Sequence, residues 1–125
     1  MGGVKMYYVS KRMEIAGAHH LDLPYDSKCE NLHGHNWVIT VYCKSENLTE
    51  YGMVVDFAQI KEEVHKKLDH ACINDIVCPL NPTAENIAKW VCERVSSICE
   101  CGKCYKVEVQ ESSGNCAIYV DDEEV

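Results

Sequence analysis

The apolar positions of the chain fall into two rhythms. From Met6 onward, Tyr7, Val9, Met13 and Ile15 alternate with Ser10, Arg12 and Glu14, the period of two that predicts a half-buried strand. A second alternation covers about residues 32–43, with Trp37, Ile39, Val41 and Cys43 sharing one face. Pro24, Asp26, Ser27 and Asn31 mark residues 22–31 between them as a loop. The rhythm then changes. Phe57, Ile60, Val64 and Leu68 recur at helical spacing behind Asp56, a good N-cap. Ile87, Trp90, Val91, Val95 and Ile98 do the same behind Thr83. Residues 74–82, which hold Pro79 and Pro82, read as irregular. Two further alternating runs, residues 105–111 and 116–120, flank a turn at Ser113, Gly114 and Asn115.

The order strand, strand, helix, helix, strand, strand implies an α+β fold, a four-stranded antiparallel sheet with two helices on one face. Such a sheet leaves two open edges and one bare face, which copies of the same chain can cover. The 125 residues suit a single domain over the whole length. No apolar run approaches the ~20 residues that span a bilayer. Residues 1–8 lack the long apolar core of a signal peptide, so a cytoplasmic protein is expected, with no membrane partner. The net charge of −8 disfavours nucleic acid as a partner; a small anionic substrate remains compatible with it. Nine cysteines, an odd number without a secretory signal, point to reduced thiols.

The sharpest local chemistry is His33–Gly34–His35. Residues i and i+2 of a strand project to one side, so both imidazoles point together. His19 and His20 are candidates for a third ligand. Strand parity favours His19, which shares its face with Val9, Met13 and Ile15, whereas His20 shares the polar face. Three imidazoles with one open position form a catalytic zinc arrangement. Cys29, four residues before His33, is either a low-pKa base or nucleophile or a fourth, closing ligand. Asp69 beside His70 can orient that imidazole for proton transfer. His65, next to Lys66 and Lys67, reads as solvent-facing. Glu111 continues an inward face of Tyr105, Val107 and Val109, an unusual place for a carboxylate unless it meets a ligand. Cys99, Cys101 and Cys104, with Cys92 upstream, raise a second metal site; a thiol-rich surface loop is the preferred reading because paired cysteine doublets are missing.

Several motifs in order resemble the 6-pyruvoyltetrahydropterin synthase / 6-carboxytetrahydropterin synthase family. They are Ala18–His19–His20–Leu21, Cys29–Glu30–Asn31–Leu32–His33–Gly34–His35, Val55–Asp56–Phe57, Leu68–Asp69–His70, Asn81–Pro82–Thr83–Ala84–Glu85 and Gln110–Glu111–Ser112. The resemblance implies the tunnelling fold (T-fold), in which three subunits join their sheets into a barrel and two trimers stack as a homohexamer with active sites between subunits. It implies Zn2+ on His19, His33 and His35, and Cys29 as the proton-abstracting residue with Asp69 and His70 as its activating pair. Glu111 would anchor the pterin ring, with Thr83 also against the substrate. The implied substrate is 7,8-dihydroneopterin triphosphate. Three residues separate Cys29 from His33, similar to the bacterial 6-carboxytetrahydropterin synthases of queuosine biosynthesis. Glu30 resembles a glutamate with which a folate-linked branch cleaves the side chain to 6-hydroxymethyl-7,8-dihydropterin, so the pair suggests a dual-function chain. In an extended loop, Cys29 and Glu30 would point to opposite sides. Ile15 and Gly17 depart from the family's usual Phe and Ala, away from the implied chemistry. The alternatives are a 6-pyruvoyltetrahydropterin synthase, a non-catalytic metal-binding module, and a GTP cyclohydrolase-like enzyme, against which the compact Cys29-to-His35 motif argues.

Overall fold

The first alternation forms one uninterrupted strand, β1 (Tyr7–His19), in which every second residue from Met13 to His19 is buried. β2 (His33–Ser45) repeats the pattern, with Trp37, Ile39, Val41 and Cys43 inward. β3 (Lys103–Ser112) and β4 (Asn115–Val120) complete an antiparallel sheet in the order β1-β2-β3-β4. The computed structural model describes residue 3 and residues 5–122. Met1, Gly2 and Val4, part of the segment read for a leader, lie outside the described residues, as do residues 123–125.

The helices cover one face of this sheet. Helix α1, residues 57–68, is capped by Asp56, whose Oδ1 accepts from Ala58 N at 2.8 Å. Its centre, Lys61–His65, widens into a π-turn. Ile60, Val64 and Leu68 line its buried stripe, but Phe57 does not join them. Phe57 instead lies half-exposed in a surface groove with Tyr7, Tyr8 and Met53. Helix α2 (Ile73–Val77) occupies part of the stretch read as irregular, because Ile73 and Val77 bury one short apolar face. Helix α3 (Ala84–Ile98) is capped by Thr83, whose Oγ1 accepts from Asn86 N at 3.1 Å. Its Ile87, Ala88, Val91, Cys92 and Val95 pack into one core with the inward residues of β2 and β3. Each such aliphatic side chain contributes about 1.5–3 kcal/mol on full burial. Trp90 and Ile98 are only half-buried at its flank.

Two details correct the sequence reading. Pairing shifts between Tyr42↔Lys106 and Cys43↔Cys104, so Tyr105 is the extra residue of a β-bulge. Cys104, not Tyr105, therefore points into the core, and Tyr105 meets Tyr8 edge-on at 5.8 Å on the other face. The β1 edge is also less open than expected. Ala18 N donates to Ala71 O at 3.0 Å and His70 N to Ala16 O at 2.6 Å, so residues 70–72 run beside the last turn of the strand.

Candidate metal centre

The β1/β2 register sets the site. His19 pairs directly with His33, and Gly17 with His35, so the inward parity of both strands brings the three imidazoles together. Ring centroids lie 4.6 Å apart for His19 and His33, 4.8 Å for His33 and His35, and 5.2 Å for His19 and His35. Glu111 joins them. One potential ligand atom from each of His19, His33, His35 and Glu111 lies within 4.8 Å of all the others. His20 does not take part; its backbone is bonded through N–H and C=O to the side chain of Asn74.

Two carbonyls fix which nitrogens face inward. His19 Nδ1 donates to Pro82 O at 2.8 Å, and His33 Nδ1 donates to Asn31 O at 2.6 Å. A carbonyl only accepts, so both Nδ1 atoms carry the proton and both Nε2 lone pairs are left for the cluster. His19 and His35 Nε2 are buried without any hydrogen-bond partner. Glu111 Oε1 sits 3.3 Å from His19 Nε2 and 3.1 Å from His35 Nε2. His19 Nε2 carries a lone pair, and a carboxylate oxygen facing it is repulsive unless a positive charge intervenes. Protonating His19 would supply one, but burial pushes its pKa down, aided by His33 and against the pull of the Pro82 carbonyl. A cation between the four groups resolves the conflict, and an N,N,N,O donor set suits zinc. The residues thus fit the metal that the resemblance implies.

The other expected site residues are distributed around this cluster. His70 lines a cavity of about 540 Å³ with Gly17, Ala18, Gly34, His35 and Cys72. It stands at φ +58°, a left-handed conformation unusual for a residue with a side chain, and its imidazole is largely exposed. Asp69 holds it there. Asp69 Oδ1 accepts from Ala16 N at 2.9 Å, and Oδ2 lies 3.5 Å from His70 Nε2. His65 is not simply solvent-facing: the π-turn brings its Nε2 within 3.1 Å of Glu14 O and 3.8 Å of Asp69 Oδ2. Cys29 and Glu30 lie on a 3-10 turn, Lys28–Glu30, capped by Ser27 Oγ on Cys29 N at 3.1 Å. The loop is therefore not extended there, although Cys29 is half-buried and Glu30 exposed. Cys29 is no member of the four-residue cluster; the group that joins the three imidazoles there is the Glu111 carboxylate. Glu111 also lines a second cavity, of about 340 Å³, with Glu85 and Asn115 beside the start of α3. Thr83 contributes its cap there. Glu85 was not singled out from the sequence because an acidic residue in a first helical turn is ordinary. Gly17 is closer to the site than its departure from the family suggested: its carbonyl accepts from Trp37 Nε1 at 3.1 Å, and a Cβ there would press on Ile73 Cδ1 at 2.9 Å.

The cysteine-rich loop does not build a second centre among the described residues. Cys101 Sγ turns to Asn47 O at 3.2 Å, whereas Cys104 is fully buried. Cys43, Cys92 and Cys104 are buried free thiols, Cys92 Sγ donates to Cys104 O at 3.3 Å and Cys99 Sγ to Val95 O at 3.4 Å, and no three of these thiols form a metal-holding group among the described residues. Contact with Cys104 and burial hold Cys43 and Cys92 above the usual thiol range, while the Cys43 and Cys92 thiols pull Cys104 down.

Comparison with known proteins shows the family to which the chain belongs. Residues 8–122 match the family model for 6-pyruvoyl tetrahydropterin synthase. The chain is 34% identical over 122 residues to the 6-carboxy-5,6,7,8-tetrahydropterin synthase of Synechocystis sp., covering 91% of this chain and 93% of that one. It is 42% identical over 69 residues to a dihydroneopterin monophosphate aldolase of Pyrococcus furiosus, covering 53% of this chain and 57% of the other. The solved 6-pyruvoyl tetrahydropterin synthase of Caenorhabditis elegans superposes with a TM-score of 0.75 at 26% identity, covering 98% of this chain and 100% of that one. With the motifs in order, the sheet and the clustered histidines, the chain belongs to the 6-pyruvoyl tetrahydropterin synthase family.

Proposed function

We propose that the chain is a zinc-dependent lyase that converts 7,8-dihydroneopterin triphosphate to 6-carboxy-5,6,7,8-tetrahydropterin and, through Glu30, also to 6-hydroxymethyl-7,8-dihydropterin. The observation that carries the reading is the convergence of His19, His33 and His35 with Glu111 on one point, where a cation would partner the two buried Nε2 atoms. The first product is supported by similarity to the Synechocystis enzyme, the second by similarity to the Pyrococcus furiosus aldolase.

His19, His33 and His35 would hold the zinc, which would supply a Lewis acid to make the substrate's side-chain hydroxyls more acidic. The protein's own groups do the rest. Cys29, on its capped turn, takes the proton from the side chain. Asp69 fixes the orientation of His70, which exchanges a proton at the cavity it shares with His35. Glu111, reachable from both cavity and cluster, accepts hydrogen bonds from the 2-amino edge of the pterin, and Thr83, the cap of α3, contacts the same substrate. Incubation of the zinc-loaded protein with dihydroneopterin triphosphate, with and without acetaldehyde trapping, tests this. Formation of the carboxy product with trapped acetaldehyde is expected. A 6-pyruvoyl product would replace the branch assignment, and no pterin turnover would refute the enzyme reading in favour of a metal-binding module.

A further inference from the structure

Of the three imidazoles, His35 lacks the tether the others have. His19 and His33 are each held by a backbone carbonyl on Nδ1, and ligating histidines depend on such a partner for ring orientation. Among the described residues His35 Nε2 has no hydrogen-bond partner and no carbonyl bonds Nδ1; on the cluster side the ring meets Glu111 and the His19 and His33 rings. What holds the ring from behind is Trp37. Its indole meets His35 edge-on at 5.2 Å and 83°, and meets His19 edge-on at 4.9 Å and 84°. The indole is itself immobile: it is 0% exposed, and its Nε1 donates to Gly17 O at 3.1 Å, across the sheet from β2 to β1. Gly17 is the residue paired with His35. The indole thus spans the same pair of residues that positions the ligand.

We propose that Trp37 is a positioning residue of the metal centre, doing for His35 what the Pro82 and Asn31 carbonyls do for His19 and His33. The inference rests on the three-histidine reading of the site but needs none of the proposed catalysis. Loss of the indole would free His35 to rotate about its own bonds and would weaken the metal through a ligand that still retains its side chain. Partners that hydrogen-bond a ligating histidine are worth about 10–100-fold in metal affinity, and that range sets the scale for an indole that orients the ring by contact.

The test is zinc affinity by chelator competition, together with the visible absorption spectrum of the Co2+-loaded protein, in wild type, Trp37→Phe, Trp37→Leu and Val95→Ala. Val95 is equally buried in the same core but lies on α3 outside the cluster. Trp37→Leu should lose roughly 10–100-fold in zinc affinity and change the Co2+ spectrum. Trp37→Phe, which keeps a ring but not the N–H, should fall between. Val95→Ala should lower the unfolding temperature of the zinc-free protein while leaving both metal readouts unchanged. Zinc affinity and spectrum unaltered in both Trp37 variants would overturn the proposal, as would an equal loss in Val95→Ala. If Trp37→Leu does not fold, Trp37→Phe decides alone. A wild type that binds no zinc would instead overturn the metal reading itself, a different failure.

Discussion

At the scale of single residues, the site is organised by what each imidazole does with its second nitrogen. His19 gives Nδ1–H to Pro82, so its Nε2 can only receive, and it receives at a point faced by a carboxylate. His33→Ala removes one of three ligands, and two imidazoles hold zinc poorly. Elemental analysis should find zinc near one per chain in the wild type and close to none in the variant, with activity lost in parallel. Full occupancy in His33→Ala would refute the ligand set. Cys29 and Glu30 divide the two proposed products. Cys29→Ala should abolish the carboxy product and spare some side-chain cleavage, and Glu30→Ala should do the reverse, as read by product chromatography. Unchanged products in Glu30→Ala would leave Cys29 as sole carrier and Glu30 as a solvated charge, consistent with its exposure on the 3-10 turn.

At the scale of elements, two helices hold the site's framework from behind. Glu63 on α1 takes Lys67 Nζ at 2.9 Å and Arg94 Nε of α3 at 2.9 Å on one oxygen. Lys67 first, then Arg94, hold its carboxyl below the usual value of 4.5. A depressed carboxyl stabilises the fold above its unfolded pKa, and that contribution is lost as pH falls through the folded one. Thermal unfolding from pH 6 to about pH 3 should therefore show a steeper fall in wild type than in Glu63→Gln; parallel curves would count against the pairing. Ile87→Ala on the buried face of α3 should cost about 2–5 kcal/mol in denaturant unfolding, since Ile87 is 0% exposed. Strand parity in the sequence selected His19 over His20 because β1 runs its full length without a bulge. The same argument misplaced Tyr105, since a bulge adds a residue without leaving a mark in the alternation. It brought Glu111 inward correctly but could not name what it meets, because the imidazoles belong to other strands. The short α2 was hidden because it is only five residues long and runs straight into Pro79, and the π-turn at His65 leaves the i, i+4 stripe of Ile60, Val64 and Leu68 intact.

At the scale of the whole molecule, the uncovered sheet face and the β4 edge carry Ile118 and Val120 more than half exposed. An apolar, unpaired edge favours association with further copies. The proposed assembly is a homohexamer, a dimer of trimers, with sites shared between subunits. Multi-angle light scattering should report about six chains per particle. A stable, active monomer would contradict both the barrel and the shared site. No helix among the described residues is long and apolar enough to cross a membrane. The central claim, that three histidines from two paired strands hold one catalytic zinc, is tested most directly by anomalous diffraction at the zinc edge from zinc-replete crystals. The account predicts one peak per chain, about 2.0–2.1 Å from a nitrogen of each of His19, His33 and His35. A peak at Cys99, Cys101 and Cys104 instead, or none between the histidines, would contradict it.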